Sequence, residues 1–300
     1  MAADNDDISR HVSAGTLYLV ATPIGNLDDI TRRAVSVLQG VDIIAAEDTR
    51  HSQRLLSALS ISTRLVAYHE HNEDAMAETI IRHLRDGKSV ALISDAGTPL
   101  VSDPGYRLVS RIHDEQLDLV PVPGPCAAIA ALSVSGLPTD RFSFEGFPPS
   151  KTAARLRFLQ QRALYTQTMV FYESCHRIEG MLDDMLQVFG GERRVCYCRE
   201  LTKTFETVRR AALADIAAWV HADEDQRKGE IVVVVEGDTR QHGDDERVDE
   251  YLVVMMKSLP VKQAVALVAE LTGENKNYIY KRALELKDLK SNDPELKDAD

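Results

Sequence analysis

The residues best suited to chemistry in this 300-residue chain gather in three loops rich in Gly, Pro and short polar side chains. Thr22-Pro23-Ile24-Gly25-Asn26-Leu27-Asp28 follows the aliphatic run Leu17–Ala21. Ser94-Asp95-Ala96-Gly97-Thr98-Pro99-Leu100-Val101-Ser102-Asp103-Pro104-Gly105 follows Val90–Ile93, and Val122-Pro123-Gly124-Pro125-Cys126-Ala127-Ala128 follows Leu117–Val120. Open α/β sheets hold ligands at the carboxyl ends of their strands. Where such a loop runs into a helix, its free amides face the ligand with positive partial charge. The middle loop is the densest in these features: Gly97 lets backbone approach a ligand, Pro99 and Pro104 stiffen the path, and Asp103 is placed to cap a helix beginning at Pro104. The outer two are explained equally well as plain strand-to-helix turns. Neither G-x-G-x-x-G nor G-x-x-x-x-G-K-[ST] follows a strand, which weighs against dehydrogenase and kinase-like NTPase chemistry.

The elements that must position these loops are legible from the apolar pattern. From Thr16 onward short aliphatic runs alternate with amphipathic stretches, the signature of strand and helix units on a largely parallel sheet. Strands are predicted at Leu17–Ala21, Val41–Ala46, Arg64–Ala67, Val90–Ile93 and Leu117–Val120, with helices near 30–39, 50–59, 73–86 and 105–115. Prolines at Leu137-Pro138 and Phe147-Pro148-Pro149 interrupt the periodicity and mark a linker. A second α/β domain then offers strands at Thr168–Tyr172, Val195–Arg199 and Ile231–Glu236 and helices near 150–164, 176–188 and 208–220. Helices near 247–257, 260–271 and 275–287 form an appendage, in which Thr272-Gly273 ends one helix and Asn275 caps the next in a helix-turn-helix-like arrangement. The expected organisation is a flexible N-terminus over 1–14, α/β domains over 15–138 and 139–240 facing each other across a cleft, and a helical appendage over 245–290.

Composition bounds the class. With 44% hydrophobic and 27% charged residues, 16 Gly and 11 Pro, the chain is neither fibrous nor disordered, and no apolar run approaches the roughly 20 residues of a membrane span. The acidic N-terminus has neither a basic leader nor an apolar core, so a cytoplasmic protein is expected. Four cysteines are too few and too irregularly spaced for a disulfide framework, and Cys196-x-Cys198 lacks a second pair at metal-ligand spacing; no metal is expected. A net charge of −12 argues against indiscriminate nucleic-acid or membrane binding. The acids concentrate at Asp4, Asp6 and Asp7, at Asp223–Asp225 and at Asp244–Glu246, and with a screening length of about 8 Å they leave room for a basic face elsewhere.

Seven strings in order resemble the tetrapyrrole-methylase superfamily: LYLVATPIGNLDDIT (17–31), AAEDTR (45–50), ISDAGTPLVSDPG (93–105), VPGPCA (122–127), FYES-x-HR (171–177), RELTKTFE (199–206) and KGEIVVVVEG (228–237). The resemblance spans roughly residues 15 to 290 and is nearest to the branch that methylates a ribose 2′-hydroxyl of a cytidine in 16S rRNA of the small ribosomal subunit. It implies two α/β domains with S-adenosylmethionine between them, and a homodimer. It places Pro23, Asp95, Ala96, Gly97, Thr98, Val101, Ser102, Cys126 and Ala127 near that cofactor from the first domain, with Tyr172, Glu200, Glu230 and Ile231 facing them from the second. Methyl transfer is an in-line displacement for which the acceptor oxygen must lie near the methyl and shed a proton, so a positioned carboxylate, His, Lys or Tyr assists. Candidates are Asp48 and Arg50, Glu173 and His176, and Arg199, Glu200 and Lys203, several of which suit salt bridges or caps as well. Glu200 and Lys203 are the catalytic expectation, as an acid-base or phosphate-orienting pair. His69 and His71, flanking Glu70, read as solvated or structural.

Between Lys151 and Arg210 eleven basic side chains stand against seven acidic ones, a balance suited to phosphate contacts or to a solvated helix face. The RNA-binding expectation is Arg199 and Lys203 together with Lys276, Lys281 and Arg282 of the appendage, where Tyr278 and Tyr280 either stack on bases or pack in the bundle. Two alternatives stand beside rRNA methylation. One is a precorrin-type tetrapyrrole methylase of the same fold; the other is a ribosome-binding factor that keeps the cofactor loops without turnover.

Overall fold

A computed structural model describes residues 12–69, 72–239 and 244–291. The flexible N-terminus expected before residue 12, its acids Asp4, Asp6 and Asp7, and Glu70 and His71 lie outside the described residues. The chain divides into two compact units, one reaching to Asp238 and one starting at Thr239.

The first unit holds two five-stranded sheets. Strands β1 (Thr16–Val20), β2 (Ile43–Ala46), β3 (Arg64–Ala67), β4 (Val90–Ile93) and β5 (Asp118–Val122) pair in the order β3-β2-β4-β1-β5, every pair parallel. The period of two sends successive side chains to opposite faces. Tyr18, Val20, Ile44, Ala46, Ala91 and Ile93 bury against α1 (Arg32–Gly40) and α2 (Thr49–Ala58) through Ala34, Val37, Leu38 and Leu56. Their strand neighbours Leu17, Ile43, Ala45, Val90 and Leu92 bury against α3 (Glu73–Arg85) and α4 (Tyr106–Asp114) through Ile80, Ile81, Leu84, Leu108 and Ile112. Both faces being covered explains why β2 and β4 read as unbroken aliphatic runs.

α5 (Ala127–Val134) follows the first sheet but packs on the second, placing Ala128, Ala131 and Leu132 against Val170, Cys196, Cys198, Val232 and Val234. That second sheet comprises β6 (Phe142–Gly146), β7 (Thr168–Ser174), β8 (Arg194–Arg199), β9 (Thr207–Ala212) and β10 (Glu230–Val235), ordered β6-β7-β10-β8-β9. Its other face is covered by α6 (Thr152–Gln160), α7 (Ile178–Phe189) and α8 (Leu213–Ala222) around Phe171, Tyr197 and Val233.

Three expectations need correction. Where a linker was expected, Phe142–Gly146 forms edge strand β6, since the prolines flank the alternating F-S-F-E-G rather than interrupt it. The helix expected from 208 begins instead as β9: the good helix formers of T-V-R-R-A-A pair along β8, and tertiary pairing overrides local propensity. The second sheet is also mainly antiparallel, only β6 and β7 running parallel; for β8 and β9 the reason is the short 200–206 loop that joins them, which leaves no room for a crossover.

In the second unit α9 (Asp244–Met255), α10 (Val261–Thr272) and α11 (Lys276–Ser291) bury Val248, Leu252, Val265, Val268, Ile279 and Ala283. Gly273, at φ 75°, ends α10 in a left-handed cap, and the Asn275 side chain accepts the Asn277 N–H at 2.8 Å.

On the first unit's surface His221 of α8 meets Glu179 (3.0 Å) and Asp183 (2.9 Å) of α7. The hydrogen bond to Asp183, then the carboxylate charges, raise its pKa above 6.5, so the stabilisation is complete below pH 6.5 and disappears as pH rises through the folded value. Solvent screening keeps it below about 1 kcal/mol. His221→Ala is expected to lower the thermal midpoint by about 1–2 °C at pH 5.5 and not at pH 9; equal losses at both would point to packing.

Candidate functional site

The three loops that follow β4, β1 and β5 are adjacent because those strands are neighbours, and hydrogen bonds lock them together. Thr22 N–H donates to the Gly97 carbonyl (2.9 Å) and Gly97 N–H to the Thr22 carbonyl (3.1 Å), while the Thr22 hydroxyl reaches the Ser94 carbonyl. The Thr98 hydroxyl donates to the Pro125 carbonyl at 3.0 Å, adding the third loop. Gly97 is needed on two counts: its φ is 82°, and a Cβ there would lie 3.3 Å from Ile24 Cγ2. The helix after the middle loop starts at Tyr106 and is capped at Gly105 with no side-chain bond, so Asp103 does not serve as the expected cap. Gly105 instead donates its N–H to Glu73, leaving Asp103 to face elsewhere.

It faces a cavity of about 500 Å³ between the two sheets. On the first side the walls are Asp95, Ala96, Gly97, Thr98, Val101 and Ser102, then Cys126 and Ala127 at the start of α5. Tyr172, Glu230 and Ile231 stand across from them. Eleven of the thirteen residues expected to bind the cofactor thus line one cavity. Pro23 and Glu200 do not line it, although their successors Ile24 and Leu201 do. Glu173, named as a proton-acceptor candidate, and Asp103, expected only as a cap, also line it, as do Glu47, Phe147 and Gly229, which had been given no role. Glu47, Asp103, Glu173 and Gly229 lay inside the motifs already singled out; Phe147 was assigned to a linker, and nothing local in the sequence turns it inward.

The cavity is markedly acidic. Burial, then the nearby charge of Glu47, pushes the Asp103 carboxyl up to about 6, with the Ser94 hydroxyl opposing and Asp95 adding. The Tyr172 hydroxyl, raised chiefly by burial, accepts the Ala128 N–H at 3.0 Å and so satisfies a free amide at the start of α5. The Phe144 and Phe147 rings meet the Tyr172 ring edge-on at 4.9 and 5.5 Å.

Glu200 and Lys203 form the pair expected of them, but beside the cavity wall. Lys203 Nζ lies 2.8 Å from Glu200 and 3.1 Å from Glu230, and Glu200 also accepts the Glu230 N–H at 2.9 Å. Burial opposes the charge on both, yet the mutual hydrogen bonds prevail, holding Glu200 below and Lys203 above their usual ranges. Two glycines make room: a Cβ on Gly25 would fall 2.4 Å from Lys203 Cγ, and one on Gly229 2.3 Å from Glu200 Cδ. The pair thereby braces the first loop against the β8–β9 turn.

Strain has the same address. Of the six described non-glycine residues with positive φ, Leu100, Ser102, Glu200 and Thr202 lie in the two loops on either side of the cavity, while Ser60 and Gln116 follow helix ends.

The other candidates are accounted for locally. Asp48 caps α2, accepting the Arg50 N–H at 2.8 Å, and donates its own N–H to Asp95. Glu173 pairs with Arg177 at 2.6 Å, and Arg199 is buried, donating to the Lys228 and Phe205 carbonyls and to Thr207. Arg50 and His176 are exposed. In the second unit Lys276 and Lys281 are exposed, whereas Arg282 is held by Asp249 and Glu285. Tyr278 packs on the bundle core and Tyr280 is exposed. Among the described residues all four cysteines are free, no cluster of three His, Cys, Asp or Glu is arranged for a metal ion, and no helix is long and apolar enough to cross a membrane.

Residues 16–217 match the family model described as Tetrapyrrole (Corrin/Porphyrin) Methylases, and residues 242–287 match the RsmI C-terminal HTH domain. A Vibrio cholerae protein named Ribosomal RNA small subunit methyltransferase I is 52% identical over 275 residues, covering 91% of this chain and 95% of its own. Its namesake from Pseudomonas aeruginosa is also 52% identical, covering 91% and 98%. The crystal structure of uroporphyrin-III-C-methyltransferase from Thermus thermophilus shares the fold, with a TM-score of 0.53 at 22% identity over 77% of this chain and 98% of that one.

Asp103 carries a stability signature. Below its unfolded value of 3.8 the carboxyl is neutral in both states; above about 6 the fold must ionise it against burial and Glu47, so stability is lost between those values. Asp103→Asn is expected to raise the melting temperature at pH 8 but not at pH 3.5. A gain of equal size at both would assign the effect to packing.

Proposed function

The chain belongs to the tetrapyrrole methylase family, and on that premise we propose that it is an S-adenosylmethionine-dependent methyltransferase that 2′-O-methylates a cytidine ribose in 16S rRNA of the small ribosomal subunit. One observation carries the cofactor reading: Glu47, Asp95, Asp103 and Glu230 all line one cavity, which suits a ligand bearing a cationic sulfur and an ammonium and repels a polyphosphate. The acceptor follows from relatives named Ribosomal RNA small subunit methyltransferase I at 52% identity and from the helix-turn-helix unit matched at 242–287.

The bound cofactor supplies an electrophilic methyl group. Asp95, Glu230 and the Gly97–Thr98 backbone, which line the cavity, would hold it, and the small side chains of Ala96 and Ala127 would leave it room. Asp103 takes the 2′-hydroxyl proton: it lines the cavity, is not consumed by capping, and its value of about 6 leaves it ionised yet basic at neutral pH. Glu200 is a poorer base because Lys203 and the Glu230 amide stabilise its charge; together Glu200 and Lys203 position Glu230 and the β8–β9 turn. Lys276 and Lys281 of α11 contact RNA phosphates. The homodimer expected from the family resemblance is part of this reading, and ribosomal work implies a cytoplasmic protein.

Radiolabelled methyl incorporation into 30S particles, naked 16S rRNA and a tetrapyrrole tests the acceptor; label in the tetrapyrrole alone would overturn the rRNA reading. Gly97→Val is expected to abolish cofactor affinity in calorimetry while the melting transition stays cooperative. Asp103→Asn is expected to cut kcat by about 100-fold and to remove the acid limb near pH 6; an intact limb would assign proton removal to another group. Lys276→Ala with Lys281→Ala is expected to lessen the slope of log affinity against log salt by about 1–2.

A further inference from the structure

Among the described residues Phe147 is the one aromatic side chain that both lines the cavity and stands largely in solvent, at 53% exposure. Its direction is the product of a bulge. Along β6 the side chains alternate, Phe142 and Phe144 to one face, and Glu145 to the other, where it pairs with Arg162. Unbroken alternation would send Phe147 to the Glu145 side. The register shift between Phe144 and Gly146, with Gly146 at φ 64°, returns it to the Phe144 side, and both rings meet Tyr172. The chain just beyond is pinned: Arg177 donates to the Pro148 carbonyl at 3.4 Å while held by Glu173 at 2.6 Å, and by Ser174.

The charge pattern here is divided. The cavity wall carries Glu47, Asp95, Asp103, Glu173 and Glu230, of which Glu173 is paired with Arg177, whereas the loop bearing Phe147 runs on to exposed Lys151. An exposed ring in a loop that continues to an exposed lysine suits an anionic polymer with flat aromatic groups better than it suits a cationic cofactor. Ribose chemistry imposes the same demand. The base is attached at the carbon next to the one bearing the 2′-hydroxyl, so when that hydroxyl enters the cavity the base lies at its mouth, out of its stack and needing a new partner.

We propose that Phe147 is the stacking platform for the base of the target nucleotide, a positioning residue that presents the ribose to the cavity. This rests on the rRNA reading above. Loss of the ring is then expected to raise KM for the RNA substrate by about ten- to hundredfold, with a smaller effect on kcat.

The experiment compares wild type, Phe147→Ala, Phe147→Leu and Phe147→Trp in three measurements: methyl transfer to 30S particles, binding of 30S particles, and calorimetric affinity for S-adenosylmethionine. The expected pattern is weakened 30S binding and raised KM in the Ala and Leu variants, recovery with Trp, and cofactor affinity unchanged in all. Leu behaving as well as Trp would reduce the ring to apolar packing, and a parallel loss of cofactor affinity would assign it to the adenine; either overturns the proposal. Failure of the underlying reading is visible separately, as wild type that neither binds nor methylates 30S particles, and it overturns the platform as well.

Discussion

The site depends on where α5 is buried. The helix leaves the first sheet through Val122-Pro123-Gly124-Pro125 and then places Ala128, Ala131 and Leu132 on the apolar face of the second sheet. A helix of small residues approaches a sheet closely, and the burial of Val170, Val232 and Val234 beneath it is the main apolar force joining the two halves. Gly124 belongs to the same constraint, since a Cβ there would lie 2.9 Å from the Ala21 Cβ. Once α5 is seated, the cavity is defined: its free N-terminal amides open on one wall, and Tyr172 from the opposite sheet accepts one of them.

Around that joint the chain holds conformations and charges that an isolated loop would relax. Leu100, Ser102, Glu200 and Thr202 keep positive φ because the surrounding structure over-determines them, through the Thr22–Gly97 bridge on one side and the Glu200–Lys203–Glu230 brace on the other. Asp103 remains a half-buried acid beside Glu47 and Asp95 at a cost to stability. Strain and uncompensated charge gathered at one place are what a preorganised binding site requires: ligand contacts, not solvent, supply the compensation.

Much of this was legible in one dimension. The first sheet was recoverable strand by strand because its short apolar runs alternate with amphipathic stretches, and its central strands β2 and β4, covered on both faces, are continuous aliphatic runs. The three loops were recoverable because the turns they make demand those residues. The second half was harder. β6 is an edge strand with exposed Phe142 and Phe144, and β9 is built from residues that favour helices when alone; in both, the partner strand supplies the preference. Arg199 and Arg282 drew attention as RNA-binding cations, yet each is consumed within the fold, Arg199 by the carbonyls of Phe205 and Lys228 and Arg282 by Asp249.

The sequence by itself determined the element types, the loops that end at the ligand and the order of motifs that identifies the family, because these depend on local backbone preference and short-period apolar pattern. Only the tertiary structure decided which polar groups remain available. Asp103 is freed because Gly105 bonds to Glu73 instead, Glu200 is neutralised by Lys203, and Phe147 is turned to the cavity mouth by a bulge in a strand. Availability is set by contacts that exist only in the folded chain, some between distant segments, as for Gly105 and Glu73, and some between near neighbours held in an unusual backbone, as for Glu200 with Lys203 and for Phe147 beside its bulge.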